Sequence, residues 1–174
     1  MFEIIYKIIN KDYEQDIKGT EGFFQIRCNE KMYGEFYSAE IEKFMDTVEI
    51  SRWMNWFLQI VYDLRSKNYI LLSDIESYNT WIEFKRKDDI VLVSIISADK
   101  PQGSTAIEYE HMPNTTYPDW NNEEISYYQF ECEVIKKAKK YLKELNLLNT
   151  SNNAVSKEIC NWINKLGVNK EVNK

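Results

Sequence analysis

The chain has 174 residues, a hydrophobic fraction of 44% and a formal net charge of −6, which is enough apolar material for one domain with a substantial core. The negative charge argues against nucleic acid or an anionic membrane as a direct partner, because both are themselves negative. No stretch reaches the roughly 18–20 apolar residues of a membrane span, and the N-terminus lacks the pattern of a signal peptide. We therefore expect a cytoplasmic protein.

The first third of the chain predicts strands followed by a helix. Residues 2–9 are apolar and β-branched, and residues 22–28 alternate between two faces; both patterns indicate strands. A turn over 29–31 leads to an extended stretch over 32–36, which predicts a β-hairpin. From about 51 to 66, apolar residues recur at the spacing of a buried helical face. They are Trp53, Trp56, Phe57, Ile60, Val61 and Leu64.

The middle of the chain predicts further strands. The segment over 90–96 is almost continuously apolar, which is typical of a strand covered on both faces, and the segment over 80–85 alternates. Shorter strands are predicted over 69–72 and 106–109. A loop over 112–122 follows, in which two prolines stand.

The last part of the chain predicts two helices. The first runs from about Glu123 to Leu147 with Asn122 as its N-cap, because Glu123 and Glu124 suit a first turn and lysines crowd the second half. The second is short and amphipathic, over 156–166. The expected fold is α+β, with an antiparallel β-sheet and two long helices plus a short C-terminal helix packed mainly on one face. We expect one domain over 1–168 and a frayed tail over 169–174.

The most unusual stretch is residues 101–135, called the acidic segment below, which contains no Lys or Arg and seven Asp or Glu residues. Aromatic residues are interleaved with these acids. Carboxylates steer and pair with basic groups, and exposed aromatics anchor interfaces, so the pattern predicts a site for a basic protein partner. The predicted partner-binding residues are Glu108, Tyr109, Glu110, Tyr117, Asp119, Trp120, Glu123 and Glu124, with the tyrosines and the tryptophan as apolar anchors.

His111, the only histidine, keeps open a different function: an enzyme or a small-molecule-binding domain with a cleft near His111. A lone histidine without a paired Ser or Cys motif is more often structural or solvated. A Mg²⁺ or Ca²⁺ site on Glu108, Glu110 and Asp119, or a glycosidase-type pair of the two glutamates, are further alternatives. Three scattered cysteines and five glycines form neither a zinc spacing nor a nucleotide-binding motif. We therefore predict no catalytic residue, no metal and no cofactor.

Five lysines crowd residues 136–143. Cations suit the C-terminal half of a helix and can pair there with Glu133 and Glu144, so we favour a structural role over binding of phosphate or RNA. The same lysines leave open a homodimer, in which the acidic segment of one copy meets the lysine-rich helix of another.

Four segments carry a resemblance to a known family. They are Gly22-Phe23-Phe24-Gln25-Ile26, the tryptophan-rich Trp53-Met54-Asn55-Trp56-Phe57, the strand block over 82–96, and residues 124–130 running into the lysine-rich helix. Together they resemble small immunity proteins of bacterial polymorphic and contact-dependent toxin systems. More narrowly, they resemble those paired with wall-associated nuclease toxins of Gram-positive bacteria. The resemblance covers most of residues 1–148.

The resemblance implies a small acidic cytosolic protein that binds the C-terminal toxin domain of a cognate partner. Toxins of this kind are often basic nucleases. The inhibitor would cover the catalytic cleft or a nearby surface, and its carboxylates would replace nucleic-acid phosphates as partners for the Lys and Arg residues of the toxin. The site residues given above come from composition and not from the family.

Overall fold

Nine strands and three helices make up the part of the chain that the computed structural model describes, which is residues 1–9, 17–149 and 153–167. Every strand pair is antiparallel, so the predicted α+β class is confirmed. The tail predicted over 169–174 lies outside the described residues. The strands are β1 (Phe2–Ile8), β2 (Glu21–Cys28), β3 (Lys31–Glu35), β4 (Val48–Glu49), β5 (Tyr69–Ser73), β6 (Thr80–Lys87), β7 (Ile90–Ser97), β8 (Ile107–Glu108) and β9 (Glu123–Ser126); the helices are α1 (Ile50–Asp63), α2 (Tyr127–Leu148) and α3 (Ala154–Gly167).

The strands form two sheets, so the prediction of one sheet is wrong. In the N-terminal sheet β2 is central: β1 pairs along one side, and β3 and β4 pair along the other. The predicted β2–β3 hairpin is confirmed, and its turn contains Asn29 at a φ of 55°. The C-terminal sheet has the order β8-β5-β6-β7-β9. Residue patterns indicate strands, but which strands pair is decided by packing between distant parts of the chain.

The core lies between the two sheets and the helices, and Phe57 of α1 stands at its centre. Its ring centroid is 5.8 Å from that of Phe24 in β2, 6.2 Å from Phe84 in β6 and 6.4 Å from Phe130 in α2. The predicted apolar face of α1 is confirmed, because its members are buried apart from the partly buried Trp56. The buried members are Trp53, Phe57, Ile60, Val61 and Leu64. One helix thus joins both sheets into a single apolar cluster.

Helix α2 begins at Tyr127, and the prediction that it begins at Glu123 with Asn122 as its N-cap is wrong. Residues 123–126 instead form β9, which pairs with β7 and directs Ile125 into the core. Asn122 has a φ of 59°, a left-handed conformation that does not suit an N-cap. Ser126 is the N-cap, and its hydroxyl accepts a hydrogen bond from the backbone N–H of Gln129.

The outer faces of both sheets are covered by irregular segments. Phe23 of β2 packs under Phe36 and Tyr37, which belong to the 36–47 loop. The segment over 98–122 crosses the outer face of the C-terminal sheet, where Trp81 and Met112 belong to a second, smaller apolar cluster. Across the three described ranges, no helix has the length and apolar character needed to cross a bilayer.

Candidate functional site

The residues predicted from the acidic segment are distributed over both edges of the C-terminal sheet. Glu108 lies in β8 at one edge of the C-terminal sheet, whereas Glu123 and Glu124 lie in β9 at the opposite edge. Four strand spacings separate these edges, which corresponds to about 19 Å. The acidic segment therefore spans the width of this sheet, a distance that one partner of ordinary size can still cover.

Trp120 is fully buried, so its predicted role as an exposed anchor is wrong. Its ring lies edge-on to Tyr33, with a centroid distance of 6.4 Å, and its carbonyl oxygen accepts a hydrogen bond from the backbone N–H of Ile95 in β7. An indole removes a large apolar area from water when it is buried, which explains why this side chain occupies the core.

Several acids of the acidic segment contact groups from elsewhere in the chain, and some of these groups are cations. Asp119 lies 3.5 Å from the ammonium of Lys31, and Glu131 lies 2.6 Å from the guanidinium of Arg65. Glu123 accepts a hydrogen bond from the side-chain amide of Asn29 at 3.0 Å. Although the acidic segment contains no Lys or Arg, basic side chains from other parts of the chain therefore lie close to some of its carboxylates.

Two further predicted residues hold the 98–122 segment against the fold. The hydroxyl of Tyr109 donates a hydrogen bond to Asp63 at 2.7 Å, and the ammonium of Lys67 lies 3.4 Å from its ring centroid. The hydroxyl of Tyr117 donates to the buried carboxylate of Glu83 at 3.4 Å. Both rings remain partly exposed, but their polar groups already have intramolecular partners.

Three carboxylates complete the predicted set. Glu108 accepts a hydrogen bond from the backbone N–H of Thr105 at 2.6 Å, which fixes it in a local turn. Glu110 and Glu124 are exposed, and within the described ranges their side chains make no hydrogen bond or ion pair. Of the eight predicted residues, these two glutamates are the ones that stay fully available to a partner.

His111 is exposed and packs against the ring of Tyr69, with a centroid distance of 3.7 Å. It does not line the acidic cleft described next. Among the residues that the structure describes, no group of three or more His, Cys, Asp or Glu is arranged to hold a metal ion. The geometry around His111 therefore gives no specific support to the enzyme or small-molecule alternative.

A cavity of about 380 Å³, called the acidic cleft below, opens between the N-terminal sheet and the turn that follows β5. Its floor is apolar and includes Phe24 of β2 and Trp53 of α1, whose rings stack with a centroid distance of 5.5 Å. Four carboxylates line it, and no Lys or Arg is among its described lining residues. The carboxylates are Glu35, Asp46, Asp74 and Glu76.

These carboxylates fall into two pairs. Asp74 accepts a hydrogen bond from the hydroxyl of Tyr33, and Glu35 accepts one from Tyr37. Burial, followed by the hydrogen bond to Asp74, raises the pKa of the Tyr33 hydroxyl, so Tyr33 stays a donor. The side chains of Asp46 and Glu76 make no hydrogen bond or ion pair in the part of the chain that is described.

Glu76 shows the electrostatic consequence of this arrangement. Partial burial, followed by repulsion from Asp74 and then from Glu35, raises the pKa of the Glu76 carboxyl, while Arg52 acts in the opposite direction. A cationic group placed in the cleft would remove this repulsion. The cleft is therefore suited to a basic side chain that contacts the aromatic floor and the carboxylates together.

The two segments that bound the acidic cleft also carry exposed apolar side chains. Phe36, Ile41 and Phe44 lie on the 36–47 loop, and Phe44 is 75% exposed. Ile75 and Tyr78 lie in the turn after β5, and Tyr78 is 91% exposed. Exposed aromatic and aliphatic groups beside an acidic cavity have the composition of a protein-binding surface.

The sequence did not indicate this cleft, because its four acids come from three separate places in the chain. Glu35 ends β3, Asp46 precedes β4, and Asp74 and Glu76 follow β5. The one local signal was the pair Asp74 and Glu76, two residues apart directly after an apolar strand. No protein family, no curated protein and no solved structure matches this chain.

Proposed function

We propose that this chain is an acidic immunity protein that binds and neutralises a basic toxin domain, with the acidic cleft as the centre of the interface. The observation that carries the proposal is a cleft lined by four carboxylates over an aromatic floor, with no basic residue among its described lining. The resemblance of the sequence to immunity proteins points to the same class of partner. In this proposal the protein acts in the cytoplasm and is not an enzyme.

Binding begins with a lysine or arginine of the toxin entering the acidic cleft. The carboxylates of Asp46 and Glu76, which pair with no described residue, bind it above the apolar floor of the cleft. The repulsion that Asp74 and Glu35 exert on Glu76 is relieved in the same step. The partner then covers the exposed side chains of Phe44 and Tyr78, which adds apolar burial around a charged centre.

Inhibition follows from competition for the same basic groups. A nuclease holds phosphates with Lys and Arg residues, and inhibitor carboxylates that pair with those residues exclude the nucleic acid. In our proposal the helices pack mainly on one face of the sheets. They support the sheets and leave accessible the rim that contains the acidic cleft. Opposite net charges on the two proteins make association fast and sensitive to salt.

Growth rescue tests this function. The neighbouring reading frames are first searched for a large secreted protein, which the proposal expects there. Its C-terminal domain is then produced in cells with or without this protein. Rescue by the wild-type chain supports the proposal. Failure of the wild-type chain, produced in folded form, to restore growth would refute the proposed toxin partner.

The site is tested with two matched double variants. Asp46→Lys/Glu76→Lys reverses two free carboxylates of the acidic cleft, and Glu110→Lys/Glu124→Lys reverses two free carboxylates of the acidic segment. Both change the net charge equally, so a general loss of attraction affects both. Loss of rescue in the cleft variant alone supports the cleft, whereas loss in the other variant alone places the interface on the acidic segment.

A further inference from the structure

A second surface, chemically opposite to the acidic cleft, lies between α2 and α3. It is a concave groove of about 480 Å³, called the helix groove below, and its walls are mainly apolar. Leu142 and Leu147 line it from α2, and Ile163 lines it from α3. Leu147 is 77% exposed, so the groove leaves a large aliphatic side chain open to water. The helix groove and the acidic cleft share no residue.

Two lysines along this groove have no carboxylate partner among the described residues. Lys139 and Lys143 line it one helical turn apart, both are exposed, and neither forms an ion pair with the described residues. Other lysines of α2 differ: Lys137 lies 3.3 Å from Glu133, and Lys140 lies 3.5 Å from Glu144. The unpaired positive charge of α2 is therefore concentrated at the groove.

We propose that the helix groove binds an amphipathic helix of a partner protein, one whose apolar stripe is flanked by Asp or Glu. An apolar groove between two helices matches the helix-in-groove mode, in which residues spaced at i, i+3, i+4 and i+7 enter the groove. Lys139 and Lys143 supply the charge complementarity for the acidic flank. This inference does not depend on the toxin-binding proposal.

The test uses a fluorescently labelled synthetic peptide of about 18 residues, with leucines at helical spacing and glutamates on both flanks. Fluorescence anisotropy measures its binding to the full chain. Lys139→Glu/Lys143→Glu should weaken binding about tenfold or more, since two attractions become repulsions. The matched control, Lys136→Glu/Lys157→Glu, changes the net charge by the same amount at two lysines outside the groove, one in α2 and one in α3. Leu147→Asp, at an exposed position, should weaken binding without unfolding the protein.

Selective loss in the groove variants, with the control unchanged, is the result expected. No binding of the peptide to the wild-type chain, or equal weakening by both lysine double variants, would overturn the proposal. Vesicles containing phosphatidylserine and sedimentation analysis test two other occupants. Binding of the vesicles without binding of the peptide would assign the surface to anionic lipid. A dimer that Leu147→Asp abolishes, again without peptide binding, would assign it to a second copy of this chain. Either result overturns the proposal.

Discussion

The ion pair between Arg65 and Glu131 connects the three helices, two of which form the walls of the helix groove. Removing it should therefore lower the stability of the protein. Arg65 follows the end of α1, and its Nη2 lies 2.6 Å from Oε1 of Glu131 in α2. The same nitrogen donates to the carbonyl oxygen of Leu166 in α3 at 2.8 Å. Arg65→Ala would leave a carboxylate in the interior and an unsatisfied carbonyl at the end of α3.

The size of the expected loss of stability follows from the burial of the two side chains. The side chain of Glu131 is 8% exposed and that of Arg65 is 22% exposed. Removing one partner of a fully buried pair costs about 3–5 kcal/mol; because some water reaches Arg65, we expect about 3 kcal/mol. For a chain of this size this loss corresponds to a fall in Tm of about 6–12 °C. Urea unfolding followed by tryptophan fluorescence measures the free energy of unfolding directly.

Arg52→Ala is the matched control for this prediction. Nη2 of Arg52 lies at the same distance, 2.6 Å, from Oε2 of Glu49, but the two side chains are 47% and 40% exposed. An exposed pair contributes about 0.2–1 kcal/mol. Equal losses of stability in the two variants would refute the argument, because burial is the difference between them. Glu131→Gln added to Arg65→Ala should recover part of the loss, since it removes the buried charge that the guanidinium no longer contacts.

Three further predictions concern other parts of the molecule. Trp120→Ala should lower the free energy of unfolding by about 3–5 kcal/mol in urea titrations, because the indole is fully buried; a loss under about 1 kcal/mol would contradict its place in the core. The pKa of Glu76 is raised in the folded protein, so the free energy of unfolding falls as pH rises through the interval between the ordinary and the raised pKa. Glu76→Gln should therefore stabilise the protein above this interval and not below it. A pH series of thermal melts in which Glu76→Gln raises the Tm only below the interval would contradict the raised pKa. Burial raises the pKa of the Cys28 thiol to about 12, whereas Cys160 is exposed, so a thiol reagent should label Cys160 in the native protein and Cys28 only after unfolding.

The elements that the sequence predicted well are those in which local spacing reports burial. The alternation in β2 and the helical spacing in α1 each indicate which face is buried, and both elements lie where the patterns place them. The segment Glu123–Ser126 was predicted as helix because acids before a lysine-rich stretch suit a helix start. Pairing with β7, about thirty residues earlier in the chain, overrides that local preference.

The sequence did not predict the acidic cleft, because none of the eight residues predicted from the acidic segment lines it. An acidic and aromatic surface exists, but the residues that form the acidic cleft are brought together by contacts between distant segments, such as that of Tyr33 with Asp74. The ion pairs that neutralise carboxylates likewise cannot be recognised from the sequence. Lys31 reaches Asp119 across 88 positions of the chain, so counting charges along a segment cannot show which carboxylates remain free.

The central claim is that the acidic cleft binds the basic toxin partner, and calorimetric titration with the purified toxin domain tests it most directly. We predict tight binding by the wild-type chain that weakens as salt is raised from about 50 to 500 mM. Asp46→Lys/Glu76→Lys should raise the Kd about 100-fold or more, and Glu110→Lys/Glu124→Lys should change it far less. Equal effects of the two double variants, or a Kd that the cleft variant leaves unchanged, would contradict the claim.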